Sequence, residues 1–197
     1  MKLSSSKLRT AWSVVALDVG WFACVLGAAW RVHWLGAFVV SLLWAVNILT
    51  SEKDAMVSQI ALGLACLLIG FGMDTILISI GTYEPNRWLL PHPLTTVWLL
   101  MLWLNFSLAL PGSLKWFQGH LFFAAIAGSV FGPLAYLAAS RLGAIRIEPP
   151  ISGRLFLISF GWLIAMPLIS ATARKLHRSS YRLRKRQCPT NHSEPLR

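Results

Sequence analysis

Two aspartates lie inside long apolar stretches of the sequence, and they are the first candidates for chemistry. Asp18 follows the run AWSVVAL, and Asp74 follows the run LLIGFGM. A carboxyl group in a membrane-spanning segment is energetically expensive, so it is by default a hypothesis for a functional site. Such a group could bind a substrate, carry a proton or hold an ion. Its structural alternative is an ion pair that fixes two helices together.

Together with other polar residues, the two aspartates form two predicted groups that differ in depth. The predicted outer buried group consists of Asp74, Tyr136, Arg141, Glu84 and His92. The predicted inner buried group consists of Asp18, Asn47 and Asn105. An Asp74–Arg141 ion pair would fix the third helix to the fifth, and breaking such a buried pair is strongly destabilising. At about 1.5 Å per residue the two aspartates should differ by more than about 10 Å in depth, so we expect no carboxylate pair.

Metal and cofactor chemistry finds little support in the sequence. His33, His92 and Glu84 could face one another on the outer side, and such a set suits zinc. A helical His-x-x-x-His spacing, a Ser-His-Asp set and a Gly-rich phosphate loop are missing from the sequence. We therefore predict no metal and no cofactor.

Composition indicates the elements that must position these residues. Hydrophobic residues make up 56% of the 197 residues and charged residues only 13%, about half the charged fraction of a soluble domain. Continuous apolar runs favour helices over the alternating strands of a membrane barrel. The sequence predicts an all-α, polytopic transmembrane bundle of six spanning helices, over residues 11–30, 34–49, 57–80, 94–110, 121–139 and 155–171.

The basic residues predict the orientation of the bundle. With the N-terminus inside, 13 Lys and Arg residues fall on the cytoplasmic side and 5 on the other, so both termini should be cytoplasmic. Residues 1–10 would form a cytoplasmic N-terminus and residues 172–197 a basic, disordered tail. That tail could contact anionic lipid or serve only as a topology signal. The net charge of +11 lies mainly at the ends, and no nucleic-acid-reading module accompanies it, so we expect no nucleic-acid partner. A cleaved signal peptide, leaving five helices, is the rival interpretation of the first run.

The fifth run contains a GxxxG element, formed by Gly128 and Gly132 and followed by Pro133. Such spacing lets a second helix backbone approach closely. The element predicts packing within the bundle, with homodimerisation as the alternative.

Several motifs together resemble a known family. They are DVGWFACVLGAA at 18–29, GMD at 72–74, WLLMLWLNFSLAL at 98–110, GPLAY at 132–136 and RLGA at 141–144. They are similar to a family of small multi-pass bacterial inner-membrane proteins, catalogued only as a domain of unknown function. The resemblance covers about residues 11–171 and implies a location in a bacterial inner membrane. It directs attention to Asp74, Trp103, Gly132, Pro133, Tyr136 and Gly143, but it implies no reaction.

Three functions remain open on the sequence. The first is a non-catalytic accessory component of a membrane or envelope system, which predicts a membrane-protein partner and tolerance of Asp74→Asn. The second is a small transporter acting as an oligomer, which predicts a polar cavity joining Asp74 to one side. The third is a lipid-modifying membrane enzyme, which predicts a laterally open pocket lined by Asp74, Tyr136, Arg141 and His92.

Overall fold

Six α-helices form the protein over the residues that the computed structural model describes, 5–87 and 89–187. The helices are α1 (Ser5–Ala29), α2 (Trp34–Leu49), α3 (Lys53–Ser79), α4 (Val97–Ala109), α5 (Leu121–Arg141) and α6 (Ile151–Gln187). A short 3₁₀ helix covers Lys115–Gln118, and two short strands, β1 (Glu84–Pro85) and β2 (Ile145–Arg146), pair antiparallel. The predicted all-α fold is confirmed.

Four of these helices are long and apolar enough to cross a membrane. Their apolar parts are Lys7–Ala29, Ala55–Ser79, Leu121–Arg141 and Ile151–Ser179, each at or above the roughly 20 residues that a span needs. The helices α2 and α4 are apolar but shorter, with 16 and 13 residues. By length and composition, four helices could therefore each span a membrane, which indicates a membrane protein.

Several helices extend beyond the apolar runs that predicted them. Helix α1 begins at Ser5 rather than at residue 11, and α3 begins at Lys53 rather than at residue 57. Helix α6 continues to Gln187, so the boundary expected after residue 171 falls inside it. An apolar run marks what can lie in lipid, whereas a helix also continues through Lys and Arg, which are good helix formers. Residues 188–197 of the predicted tail lie outside the described residues.

The packing order of the helices leaves a gap on one side of the bundle. Helix α4 packs on α1, α2 and α3, and α6 packs on α3 and α5. Helix α5 therefore lies at the edge of the bundle, against α6. Between the α1–α4 pair and the α5–α6 pair lies a cavity lined by residues of all four helices.

The two glycines of the GxxxG element face α6. A Cβ atom added to Gly128 would lie 2.6 Å from the carbonyl oxygen of Trp162, and one added to Gly132 would collide with the indole ring of Trp162. The element therefore brings α5 and α6 together within one chain. Pro133 is half-buried inside α5, and the helix continues through it.

Glycines end α3 and α5 in the same way and lead into the strand pair. Gly81 has a φ of +67° and Gly143 a φ of +85°, values that a residue with a Cβ atom rarely adopts. After each glycine, the next backbone N–H bonds back into the helix, from Thr82 to Leu77 and from Ala144 to Ala139. This is the Schellman arrangement of helix ends.

Asn86 joins the same end of three helices. Its side-chain amide donates to the carbonyl oxygens of Ala28 in α1 and of Gly143 after α5, both at 3.0 Å. The indole N–H of Trp98, in the first turn of α4, donates to the Asn86 carbonyl oxygen at 2.9 Å. These contacts hold the α3–α4 connection over the bundle, with Tyr83 buried beneath it.

Candidate functional site

Asp74 lies at the centre of a fully buried hydrogen-bonded cluster. The indole N–H of Trp103 donates to Asp74 Oδ2 at 2.7 Å, and the hydroxyl of Tyr83 donates to Asp74 Oδ1 at 2.8 Å. The hydroxyl of Tyr136 is a third donor, also to Oδ1. We call these four residues the Asp74 cluster. The cluster joins α3 to α4, to α5 and to the α3–α4 connection.

Aromatic contacts hold the donors of this cluster in place. The rings of Tyr83 and Tyr136 meet edge to face at 5.1 Å, and the indole of Trp103 stacks on that of Trp162 at 4.8 Å. Burial, followed by the charge of the neighbouring carboxyl group of Asp74, raises the pKa of Tyr83 well above its ordinary value. The phenol of Tyr83 therefore keeps its proton as a donor.

Three residues of the predicted outer group lie elsewhere. Arg141, Glu84 and His92 are exposed, so the expectation that they are buried is wrong, and the predicted Asp74–Arg141 ion pair is not formed. Arg141 is five residues beyond Tyr136, a rotation of about 140° at 3.6 residues per turn, so it leaves the buried face of α5. Glu84 instead pairs with Arg146 at 2.7 Å across the two strands.

The predicted inner group is divided between two cavities. Asp18 and Asn105 line the larger one, and Asn47 lines a smaller one of about 260 Å³ at the N-terminal end of α1. Asn105 is fully buried and donates its amide to the carbonyl oxygen of Leu17 at 2.9 Å. Asn47 is half-buried and Asp18 is exposed, so the expectation of a buried inner group is confirmed only for Asn105.

The larger cavity, which we call the side cavity, fills the angle between α1–α4 and α5–α6. Its volume is about 470 Å³, within the range of small-molecule sites, and it is open on one side. Its wall residues are mostly large and apolar, including Trp21, Leu102, Phe106, Phe117, Phe131 and Met166. Trp103, Tyr136 and Trp162 also line it, and we call these three residues the cavity floor. Asp74 accepts hydrogen bonds from two of them, Trp103 and Tyr136, but does not itself line the cavity.

Asp18 lies inside the apolar run of α1. The run begins at Ala11 and the helix ends at Ala29, so Asp18 is seven residues from the start of the run and eleven from the end of the helix. At about 1.5 Å per residue the nearer end is about 10 Å away. Asp18 therefore lies well inside a helix that is long and apolar enough to cross a membrane.

Sequence reasoning from the residues missed the aromatic members of this site. Trp103 was indicated only through the family resemblance, and Tyr83 and Trp162 were not indicated. Tryptophan is common at membrane–water interfaces, so the ten tryptophans of the sequence do not by themselves indicate a site. The GxxxG element was one available signal for Trp162. Two small residues one turn apart leave space in which a large side chain of the facing helix can pack.

Comparison with known proteins gives one match. The model of a family described as "Protein of unknown function (DUF2878)" matches residues 10–168. No curated protein and no solved structure matches.

Proposed function

The chain belongs to the DUF2878 family, and we propose that it is a non-catalytic accessory component of a membrane or envelope system. In this proposal it crosses a bacterial inner membrane six times, with α2 and α4 as the two short spans and both termini in the cytoplasm. The excess of Lys and Arg on the side of the termini supports this orientation. In this proposal Arg31, His33 and Lys115, whose side chains can reach the membrane interface, extend the short spans of α2 and α4.

The observation that carries the proposal is the enclosure of Asp74. Its relative exposure is 0%, three neutral side chains donate to its oxygens, and it lines neither of the two cavities described above. A carboxyl group that takes part in proton transfer or transport must be within reach of its substrate or ion. A carboxyl group that accepts from Tyr83, Trp103 and Tyr136 instead holds four segments of the chain together. This supports a structural role for the residue.

The lipid-modifying enzyme is the second candidate, and the side cavity favours it. An apolar cavity that is open on one side at membrane depth could admit a lipid chain. Of the four residues expected to line such a pocket, however, only Tyr136 does so. A transporter would require a path from Asp74 to one side of the membrane. The enclosure of Asp74 therefore gives no support to a transport function.

The proposal also specifies the surroundings of the protein. Its solvent is the lipid bilayer, and its specific partner is a membrane protein, with a second copy of the chain as the alternative. The basic end of α6, which includes Lys175 and Arg178, would lie against anionic lipid. Each basic residue near such a surface contributes about 1 kcal/mol of attraction.

A complementation experiment tests the accessory role. A deletion strain receives the wild-type protein, Asp74→Asn or Asp74→Leu, and its lipid composition and envelope-stress response are measured alongside the amount of protein in the membrane. The proposal predicts full rescue by Asp74→Asn and loss of rescue by Asp74→Leu in step with loss of protein. A lipid class that is restored by the wild type but not by a normally abundant Asp74→Asn would support an enzyme and contradict the proposal.

A further inference from the structure

Asp18 is a carboxyl group inside the apolar run of α1 that the described side chains leave without an ion pair. It is exposed and lines the side cavity. Over residues 7–53, 55–87 and 89–179, whose side chains the structure describes, no basic side chain forms an ion pair with it. Ionisable residues in membrane spans almost always pair or face water, because hydrocarbon does not solvate them. Asp18 therefore requires a partner from outside the described chain.

A second acceptor lies on the wall of the same cavity. Asn105 is 0% exposed, its amide nitrogen donates to the carbonyl oxygen of Leu17, and its Oδ1 atom has no hydrogen-bond partner among the described residues. Gly20 permits this arrangement, because a Cβ atom there would collide with the Asn105 side chain. Asp18 follows Leu17 directly in the chain, so the two acceptor side chains meet the same turn of α1. The exposed, unpaired carboxyl group of Asp18 is complementary to a donor-rich cation, and Asn105, whose Oδ1 atom is enclosed, fixes the turn of α1 that carries it.

We infer that the side cavity receives a transmembrane helix of a partner protein that carries a Lys or Arg at mid-span, paired with Asp18. A lipid headgroup is a poor source of this cation, because Asp18 lies about 10 Å inside the apolar run of α1, measured from its nearer end. A second copy of this chain cannot supply it either. The basic residues of its four long spans, such as Arg9, Arg141 and Arg154, lie close to the span ends.

The shape of the cavity suits one face of a helix. Along α5 the lining runs from Ala127 to Ala139, about 18 Å at 1.5 Å per residue. Small residues at Ala127 and Ala135 allow a backbone to approach closely, as at other helix contacts in membranes. Phe131 lies between them with 68% of its surface exposed, and we place it at the open side of the cavity, available to a docking helix. The inference rests on the proposed accessory role, for which it names the class of partner.

Photo-crosslinking in living cells tests this inference. A benzophenone amino acid replaces Phe131 at the cavity or, as the matched control, Leu68, which is 74% exposed on α3 and does not line the cavity. We expect a protein adduct from position 131 and none from position 68. The yield should fall about fivefold or more in Asp18→Asn and Asp18→Leu, the loss that corresponds to one interhelical polar contact in a membrane. The amount of each variant in the membrane is measured in parallel.

The identity of the crosslinked segment provides the second part of the test. The adduct peptide should come from a transmembrane segment with Lys or Arg near its middle. Exchanging the two charges, with Asp18→Lys here and an acidic residue in the partner, should restore crosslinking that either change alone removes. A lipid adduct alone, an adduct with a second copy, no adduct, or a yield unchanged in Asp18→Leu would overturn the inference. These readouts depend on Asp18, whereas the accessory role is tested through Asp74, so the two can fail separately.

Discussion

Replacing Asp74 by Leu and by Asn separates a structural carboxyl group from a reactive one. Leucine removes the acceptor for Trp103 Nε1 and for the hydroxyls of Tyr83 and Tyr136. All three donors are then buried without a partner, at about 1–3 kcal/mol each. Asp74→Leu should therefore lower the free energy of unfolding by about 3–9 kcal/mol if the donors find no new partners.

Asparagine can keep all three contacts. A side-chain amide offers one acceptor oxygen and two N–H donors, and a tyrosine hydroxyl accepts as well as donates. With its oxygen toward Trp103 and its nitrogen toward Tyr83 and Tyr136, Asp74→Asn would reverse two bonds and retain the third. The tyrosine O–H groups then lose their acceptor; if one hydroxyl donates to the other, one buried donor is left without an acceptor, and we expect a loss of about 1 kcal/mol, the low end of that cost.

Thermal unfolding of the purified protein in detergent measures this difference. At roughly 2–4 °C per kcal/mol for a chain of this size, Asp74→Leu should lower the Tm by at least about 6 °C and Asp74→Asn by no more than about 4 °C. Tryptophan fluorescence is a suitable signal, because Trp103 stacks on Trp162 beside the cluster. Equal losses in the two variants, or no loss in Asp74→Leu, would refute this account of the cluster.

Three further predictions concern the α5–α6 packing and the end of the bundle that holds the strand pair. Gly132→Leu should destabilise the protein by about 1–3 kcal/mol or more, because its side chain meets the indole of Trp162; an unchanged Tm would contradict the α5–α6 packing. Gly143→Ala should cost about 1 kcal/mol because of its φ of +85°, whereas Gly153→Ala, which meets nothing within 4 Å and has no positive φ, should not; equal effects would contradict the helix end described. Arg146→Ala should change stability by less than about 1 kcal/mol, because its ion pairs are exposed; a larger loss in the same unfolding assay would show that the strand pair contributes more.

The existence of the helices could be predicted from the sequence, but their limits and contacts could not. Apolar runs locate helices because every backbone polar group in lipid must bond within its own segment. The same runs placed the start of α1 six residues too late, because a helix also continues through residues that are not apolar. Asp74 was identified as important because a buried carboxyl group is rare in such a sequence. Its hydrogen-bond partners could not be identified in this way, because neutral tyrosine and tryptophan donors are not recognisable from the charge or the spacing of residues in the sequence.

The predicted Asp74–Arg141 ion pair is a second example of a contact that the sequence does not determine. A search for a counter-ion of Asp74 leads to a cation at a similar predicted depth, and Arg141 lies only five residues from Tyr136. Helical rotation decides the outcome, since Tyr136 faces the core and Arg141 is exposed. The packing of Gly128 and Gly132 against another helix was easier to predict, because two residues without side chains at this spacing directly indicate a close helix contact.

Labelling by a membrane-permeant carbodiimide tests the central claim most directly, because it reports on both aspartates at once. The purified protein is treated with the reagent in mild detergent, and modification of each carboxyl group is quantified by peptide mass spectrometry. The exposed Asp18 should be modified readily, while Asp74, enclosed by Tyr83, Trp103 and Tyr136, should stay unmodified until the protein unfolds. Modification of Asp74 in the folded protein at a rate similar to that of Asp18 would contradict the claim that its carboxyl group is sealed and structural.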